Sequence, residues 1–271
     1  MPGGSMETRE AQLRQRIRKL SAQFGCNTDI FGKVAVLFPS WEQRWFETAC
    51  DRVAKRFAGA FPGFVGVKGG QEITFVKTGL GSSLAGDATI ALGATPVEVV
   101  FLGGAAGSLS ERLTAGNILV VTDALVAEGF SRFFIEEGPE RDAYGMIASP
   151  NPGLTRWCWE KVQEKCRLFG LTARKGRVCT VDSFAAETRR LLESYAARGC
   201  EAIDMEVSAF YTAAKTVGLK AVAILYVDDE PLSGRGRGSF DKGYLSTRRK
   251  RLEARDKLIH LITQLSYEYP A

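Results

Sequence analysis

Residues 221–227 read Ala-Val-Ala-Ile-Leu-Tyr-Val, an unbroken apolar run. A strand of that composition has no polar face to offer water. Both faces must be covered, which is the condition of strands in sheets flanked by helices. The run ends in Asp228-Asp229, at the strand's carboxyl end, where open α/β sheets place ligands. Just upstream, Asp204-Met205-Glu206 closes a short strand, residues 207–217 have a helical pattern, and Gly218 makes the turn. Acids from two neighbouring strand ends are therefore expected to face one crevice. The same residues also suit a plainer reading. Glu206 favours a helix N-terminus through the helix dipole, and Asp228-Asp229 is a solvated turn.

The rest of the chain repeats this alternation of strand and helix. Residues 7–24 form a basic amphipathic helix, and Lys33–Phe38 is the first buried strand. Trp41 to Phe57 has helical spacing, with Trp45, Phe46, Ala49, Val53 and Phe57 on one side. Pro62-Gly63 and Gly69-Gly70 bracket a hairpin-like segment ahead of a strand at Glu72–Thr78. Strands follow at 97–102 and 116–125, then a long Gly-, Pro- and Phe-rich loop at 127–153. A helix at 154–169, a strand at 176–181 and a helix at 185–197 lead into the central unit. Residues 234–238 (GRGRG) read as a flexible loop, and Tyr244–Tyr267 as one long closing helix. No break in composition divides the chain. The expected class is α/β, a single domain with a mixed, largely parallel central sheet flanked by helices. Residues 1–32 are expected to be a helical extension and 33–271 the main domain.

Composition narrows the chemistry mainly through what is scarce. The chain has one histidine, His260, inside an amphipathic C-terminal helix. A Ser-His-Asp or Cys-His device, or a histidine-rich metal centre, would have to be built on it alone. Six cysteines are scattered with no CxxC pair and read as reduced core thiols. The net charge of +5 is interleaved with acids and shows no basic-aromatic stripe, so no nucleic acid partner is expected. No run of apolar residues is long enough to span a membrane. The start lacks an apolar signal core, and a cytoplasmic location is expected.

Two glycine-rich turns stand at strand ends. Gly79-Leu80-Gly81 follows a strand and precedes a helix, but the next glycine is Gly86, misplaced for a dinucleotide fingerprint. Its backbone N–H groups could hold an anion or a sugar oxygen; a tight strand-to-helix turn explains it equally. Leu102-Gly103-Gly104-Ala105-Ala106-Gly107-Ser108-Leu109 nearly lacks side chains, so backbone there can approach a planar ligand.

Taken together and in order, TGLG at 78–81, GGAAGSL at 103–109, AGNILVVTDAL at 115–125, RVCTVDSF at 177–184 and DMEVSAFYTAA…AILYVDD at 204–229 resemble the nucleoside phosphorylase superfamily. The resemblance covers roughly residues 33–229 and implies that family's fold, with 33–271 as the catalytic domain. It implies a Met205-Glu206 pair gripping ribose and Asp229 facing the base. Gly104, Ala105, Asp228, Cys179 and Phe184 are implied around the substrate, with Phe130 a further candidate wall. Gly81, Ser82 and Arg44 are implied around phosphate. It implies no cofactor beyond inorganic phosphate as co-substrate, a small-molecule nucleoside as ligand, and a homo-oligomer.

The chain departs from the family pattern where phosphate is expected. Leu102 and Ala105 stand where an Arg and a Ser or Thr are usual, and the first turn is Phe38-Pro39-Ser40-Trp41-Glu42-Gln43-Arg44. Arg44 is one replacement cation, or a solvent-facing helix residue. Hydrolytic relatives place a water-activating acid on this turn, close to Glu42, which equally suits a first-turn helix acid. N-glycosidic cleavage passes through an oxocarbenium-like sugar, so the expected roles are ribose binding by Glu206 and proton donation to the base by Asp229. Asp228 is expected to raise the proton affinity of its neighbour. The expected activity is phosphorolysis of a purine-type nucleoside to free base and pentose 1-phosphate. The alternatives are hydrolysis with Glu42 activating water, and a binding subunit that has lost catalysis.

Overall fold

The computed structural model describes residues 6–134, 143–236 and 242–270. Ten strands form one mixed sheet: β1 (Val34–Phe38), β2 (Arg52–Phe57), β3 (Gly63–Lys68), β4 (Gln71–Lys77), β5 (Val99–Ser108), β6 (Ile118–Ala127), β7 (Ile147–Ala148), β8 (Ala173–Val181), β9 (Ala202–Asp204) and β10 (Lys220–Asp229). Among the described residues eight α-helices accompany it: α1 (Met6–Ser21), α2 (Gln43–Glu47), α3 (Ser82–Leu92), α4 (Pro152–Phe169), α5 (Arg189–Ala197), α6 (Val207–Val217), α7 (Lys242–Ser246) and α8 (Arg248–Glu268). The strands β4, β1, β5 and β10 run parallel and make the body of the sheet. The expected α/β class with a mixed central sheet is the observed one.

β10 shows why its apolar run has no gaps. Ala221, Ala223, Leu225 and Val227 enter the core under α3 and α6, while Val222, Ile224 and Tyr226 enter the core under α4 and α8. Successive side chains of a strand point to opposite faces, so two helical layers require every position to be apolar. Each fully buried aliphatic or aromatic side chain contributes about 1.5–3 kcal/mol relative to exposure.

β5 has the most consequential path. It pairs with β1 through Leu102, stays beside β10 from Val99 to Gly107, and meets β9 only at Gly107 and Ser108. Between Leu102 and Gly107 one edge of β5 therefore parts from β1 before it reaches β9. The split opens a crevice at the carboxyl ends of the parallel strands. The pairings β5–β10, β10–β6, β6–β8, β8–β9 and β9–β5 close this half of the sheet into a ring.

Several expected elements differ. The glycine stretch at 103–109 is not a turn, because continuous pairing with β10 keeps it extended. The helix expected over 41–57 ends at Glu47, and 52–57 is an edge strand paired antiparallel to β3. Its spacing misled because Phe46 is buried in the core, while Arg52, Lys55 and Arg56 project from an edge to solvent. The closing helix is two, α7 and α8, interrupted at Thr247. The loop expected over 127–153 contains a 3-10 turn at 131–133 and β7, and residues 135–142 lie outside the described residues. Residues 237–238 of the expected glycine-rich loop also lie outside them. Helix α1 lies on α3, with Ile17 buried beside Ile90, Phe130, Ala209 and Ala213.

Candidate active site

The crevice beside β5 is lined at its floor by Gly104, Ala105, Ala106 and Gly107. Trp41 from the turn after β1, Tyr226, Asp228 and Asp229 from β10, and Ile203–Glu206 from the β9–α6 junction form its sides. Leu80, Phe184 and Glu187 close the remaining edge.

Asp204 builds the corner that presents Glu206. Its Oδ2 accepts the backbone N–H groups of Glu206 (2.8 Å) and Val207 (2.7 Å), so it caps the first turn of α6. Its Oδ1 accepts the Thr180 hydroxyl at 2.7 Å, fixing the cap to β8. N-terminal helix amides have no partner within the helix, and a carboxylate there meets both hydrogen-bonding need and dipole. Glu206, 6% exposed, is thereby held in the crevice. Its Oε1 accepts the Gly81 N–H at 2.8 Å. Burial, with the Asp204 carboxylate beside it, pushes Glu206 up to about 8. Burial raises Asp204 as well. Gly81 has φ +101°, a backbone conformation that L side chains rarely adopt, so only glycine readily aims this amide at Glu206.

The two β10 acids have different surroundings. Asp228 forms an ion pair with Arg251 of α8 (3.1 Å), both groups being buried. It also accepts the hydroxyls of Tyr226 (3.1 Å) and Tyr244 (3.3 Å). The Arg251 guanidinium lies 3.6 Å from the centre of the Tyr244 ring, a cation–π contact. The charge of Asp228 is thus answered by Arg251, contrary to the expectation that it acts chiefly on Asp229. Asp229 lies against β5, where a Cβ at Gly107 would stand 2.7 Å from its Oδ1. Glycine at 107 leaves the room that Asp229 occupies. The acid that feels Asp229 is Glu187. Burial first, and Asp229 second, push Glu187 up to about 7.

Two of the three expected anion donors are already engaged by protein carboxyl groups. The Gly81 amide serves Glu206, and the Ser82 hydroxyl donates to Asp182 at 2.5 Å. Leu102 turns into the core under α3 and α6. Trp41 is buried over Gly103 and beside Tyr226, with ring centres 6.3 Å apart.

The structure therefore brings Met205, Glu206, Asp228, Asp229, Gly104, Ala105 and Phe184 to one crevice, with Gly81 joined to it through Glu206 and Ser82 buried next to Gly81 in the chain. Four expected residues are elsewhere. Glu42 and Arg44 are exposed at the head of α2. The buried Trp41 and Phe46 take the inward positions there and leave those two charges to solvent. Cys179 is fully buried behind the crevice, in a cluster with Cys200, Leu125 and Tyr195. Phe130 packs on Gly86 and Phe134, not on the crevice. His260 is exposed, edge-on to Phe169.

Sequence reading missed Trp41, Asp204, Glu187 and Arg251. Arg251 had a usable signal. It shares the apolar stripe of Ala254, Leu258, Leu261 and Leu265, and an arginine on a buried stripe calls for a buried partner. Glu187 had none, since its position depends on a turn that nothing local specifies.

Residues 46–261 match the family described as the phosphorylase superfamily. A DeoD-type purine nucleoside phosphorylase from Alkaliphilus metalliredigens is 26% identical over 175 residues, covering 64% of this chain and 70% of that protein. The fold superposes on a uridine phosphorylase from Vibrio fischeri with a TM-score of 0.73 at 19% identity, covering 91% and 95% of the two chains. An AMP nucleosidase from Bacteroides thetaiotaomicron gives 0.66 at 17% identity, covering 89% and 96%. At these identities the structural likeness speaks for the fold.

Proposed function

This chain belongs to the phosphorylase superfamily, and on that premise we propose that it hydrolyses the N-glycosidic bond of a purine-type nucleoside. Water replaces the base at the anomeric carbon, releasing free base and free pentose. Residues 33–271 are the catalytic domain, with 1–32 as a helical extension docked on it. We carry homo-oligomeric assembly as part of this reading, in a cytoplasmic setting that keeps the free thiols reduced.

In this reading Glu206 accepts hydrogen bonds from the ribose hydroxyls and Met205 packs on the sugar. Phe184 flanks the base, and Asp229 donates the proton that lets the base depart as a neutral molecule. The C1′–N bond breaks toward the base as positive charge develops on the sugar. The carboxylates of the crevice stabilise that charge. Water then bonds to the anomeric carbon, and its proton passes to a crevice carboxylate. Glu42, exposed at the head of α2, has no part in this reading.

The observation that carries water over phosphate is the engagement of Gly81 and Ser82 by Glu206 and Asp182. A dianion entering there would have to displace two protein carboxyl groups, and each hydrogen bond so lost is worth about 0.5–1.5 kcal/mol, more where the acceptor is ionised. Phosphorolysis remains the second reading, favoured by the curated relatives, which are named as phosphorylases. The test is incubation of a nucleoside panel with and without inorganic phosphate, followed by identification of the sugar product.

A further inference from the structure

Trp41 lines the crevice and has no role in the chemistry above. The pairing of β1 with β5 ends at Leu37 and Leu102, and the Trp41 ring lies over the next residue of β5. A Cβ at Gly103 would stand 2.9 Å from Trp41 Cζ3 and 3.4 Å from Cη2, so the six-membered end of the indole covers that glycine. The open floor of the crevice accordingly begins at Gly104. Two aromatic rings hold Trp41 in place, Phe46 with ring centres 6.0 Å apart and Tyr226 with centres 6.3 Å apart. Tyr226 is itself tied by its hydroxyl to Asp228, which pairs with Arg251. Only 5% of Trp41 is exposed.

The floor gives the crevice a direction. Asp229 packs against Gly107 and Trp41 against Gly103, four residues and about 13 Å apart along an extended strand. With Asp229 at the base end, Trp41 stands at the opposite end. A nucleophile that displaces a glycosidic leaving group directly reaches the anomeric carbon from the side opposite that group. We propose that Trp41 bounds the nucleophile pocket and selects the nucleophile by size, leaving room for water and not for a larger oxygen nucleophile. The inference rests on the hydrolytic reading for the reaction itself. An indole packed between two rings in a close-packed interior does not yield to an added methyl group without cost.

The experiment is cleavage of adenosine in water–methanol mixtures, with the sugar product identified as free pentose or methyl pentoside. In methanolysis the C1′–N bond breaks toward the base, the methanol oxygen bonds to C1′, and its proton passes to a crevice carboxylate. Methanol is uncharged, so its exclusion reports size and not the acidic character of the crevice. The wild type is expected to form methyl pentoside at least about tenfold below methanol's share of the solvent, since one carbon more or less in a pocket is worth about tenfold or more. Trp41→Ala should bring it within about threefold of that share, with Trp41→Phe between the two. Thermal unfolding checks each variant, and Trp41→Phe, which keeps an aromatic ring in the core, carries the test where Trp41→Ala does not fold. Equal product ratios in the wild type and every folded variant overturn the assignment, as does a wild type that follows the solvent's composition. Hydrolysis itself stands in both cases. Cleavage that requires phosphate and yields pentose 1-phosphate, or no cleavage at all, rejects the hydrolytic reading and the Trp41 assignment with it.

Discussion

The backbone N–H of Gly81 donates to Glu206 Oε1 at 2.8 Å, joining residues 125 positions apart in the chain. One contact ties the turn between β4 and α3 to the turn between β9 and α6. It also means that the glycine-rich turn, which could have served an anion, holds the carboxylate proposed to grip ribose. Fold and chemistry meet at this bond.

Glu206→Ala is expected to abolish cleavage while the protein still folds. The side chain sits at a crevice wall, and its removal takes away the acceptor for two sugar hydroxyls. Circular dichroism and base release from a nucleoside check the two halves of this statement. Near wild-type turnover would remove Glu206 from the mechanism.

The two β10 acids should separate by kind of effect. Asp229→Asn is expected to lower kcat by about 10²–10⁴-fold, the contribution of a positioned general acid. Asp228→Asn should instead destabilise the fold by about 3–5 kcal/mol, because it leaves Arg251 buried without its charge partner. Adding Arg251→Met to Asp228→Asn should recover part of that loss in denaturant titrations. If Asp228→Asn were the catalytic defect and Asp229→Asn the structural one, the roles would exchange.

The origin of these assignments shows how far the sequence could be read. The apolar run at 221–227 and the acids that end it were legible, since two covered faces leave a strand no other composition. The Met205-Glu206 corner was legible as a strand end meeting a helix start. The glycines at 103–107 were visible but misread as a turn. Gly107 leaves the room that Asp229 occupies, a relation between distant strands. Glu42 and Arg44 were placed near phosphate by resemblance, but the buried Trp41 and Phe46 take the inward positions on that turn and leave both charges exposed. Glu187 lay beyond reach because its partner, Asp229, is brought near only by the closed ring of strands.

Stability should depend on pH through Glu206. In the unfolded chain this acid loses its proton near 4.5, and in the fold near 8. Between those values the folded protein holds a proton that the unfolded chain has released, so stability falls as pH rises through this window. Each pKa unit corresponds to about 1.4 kcal/mol. Glu206→Gln lacks this slope, and its amide oxygen can still accept from Gly81. Its melting temperature relative to wild type should therefore climb between about pH 4.5 and 8 and level off above. A constant difference across that range would contradict the buried, proton-holding state of Glu206. Asp204 contributes a smaller fall at lower pH, because burial raises it as well.

The central claim is that water, not phosphate, takes the sugar. It is tested most directly by the initial rate of nucleoside cleavage as inorganic phosphate is varied from none to saturating, with the sugar product identified at each point. The account predicts one rate throughout and free pentose as the product. A rate that vanishes without phosphate and rises with it, accompanied by pentose 1-phosphate, would contradict it.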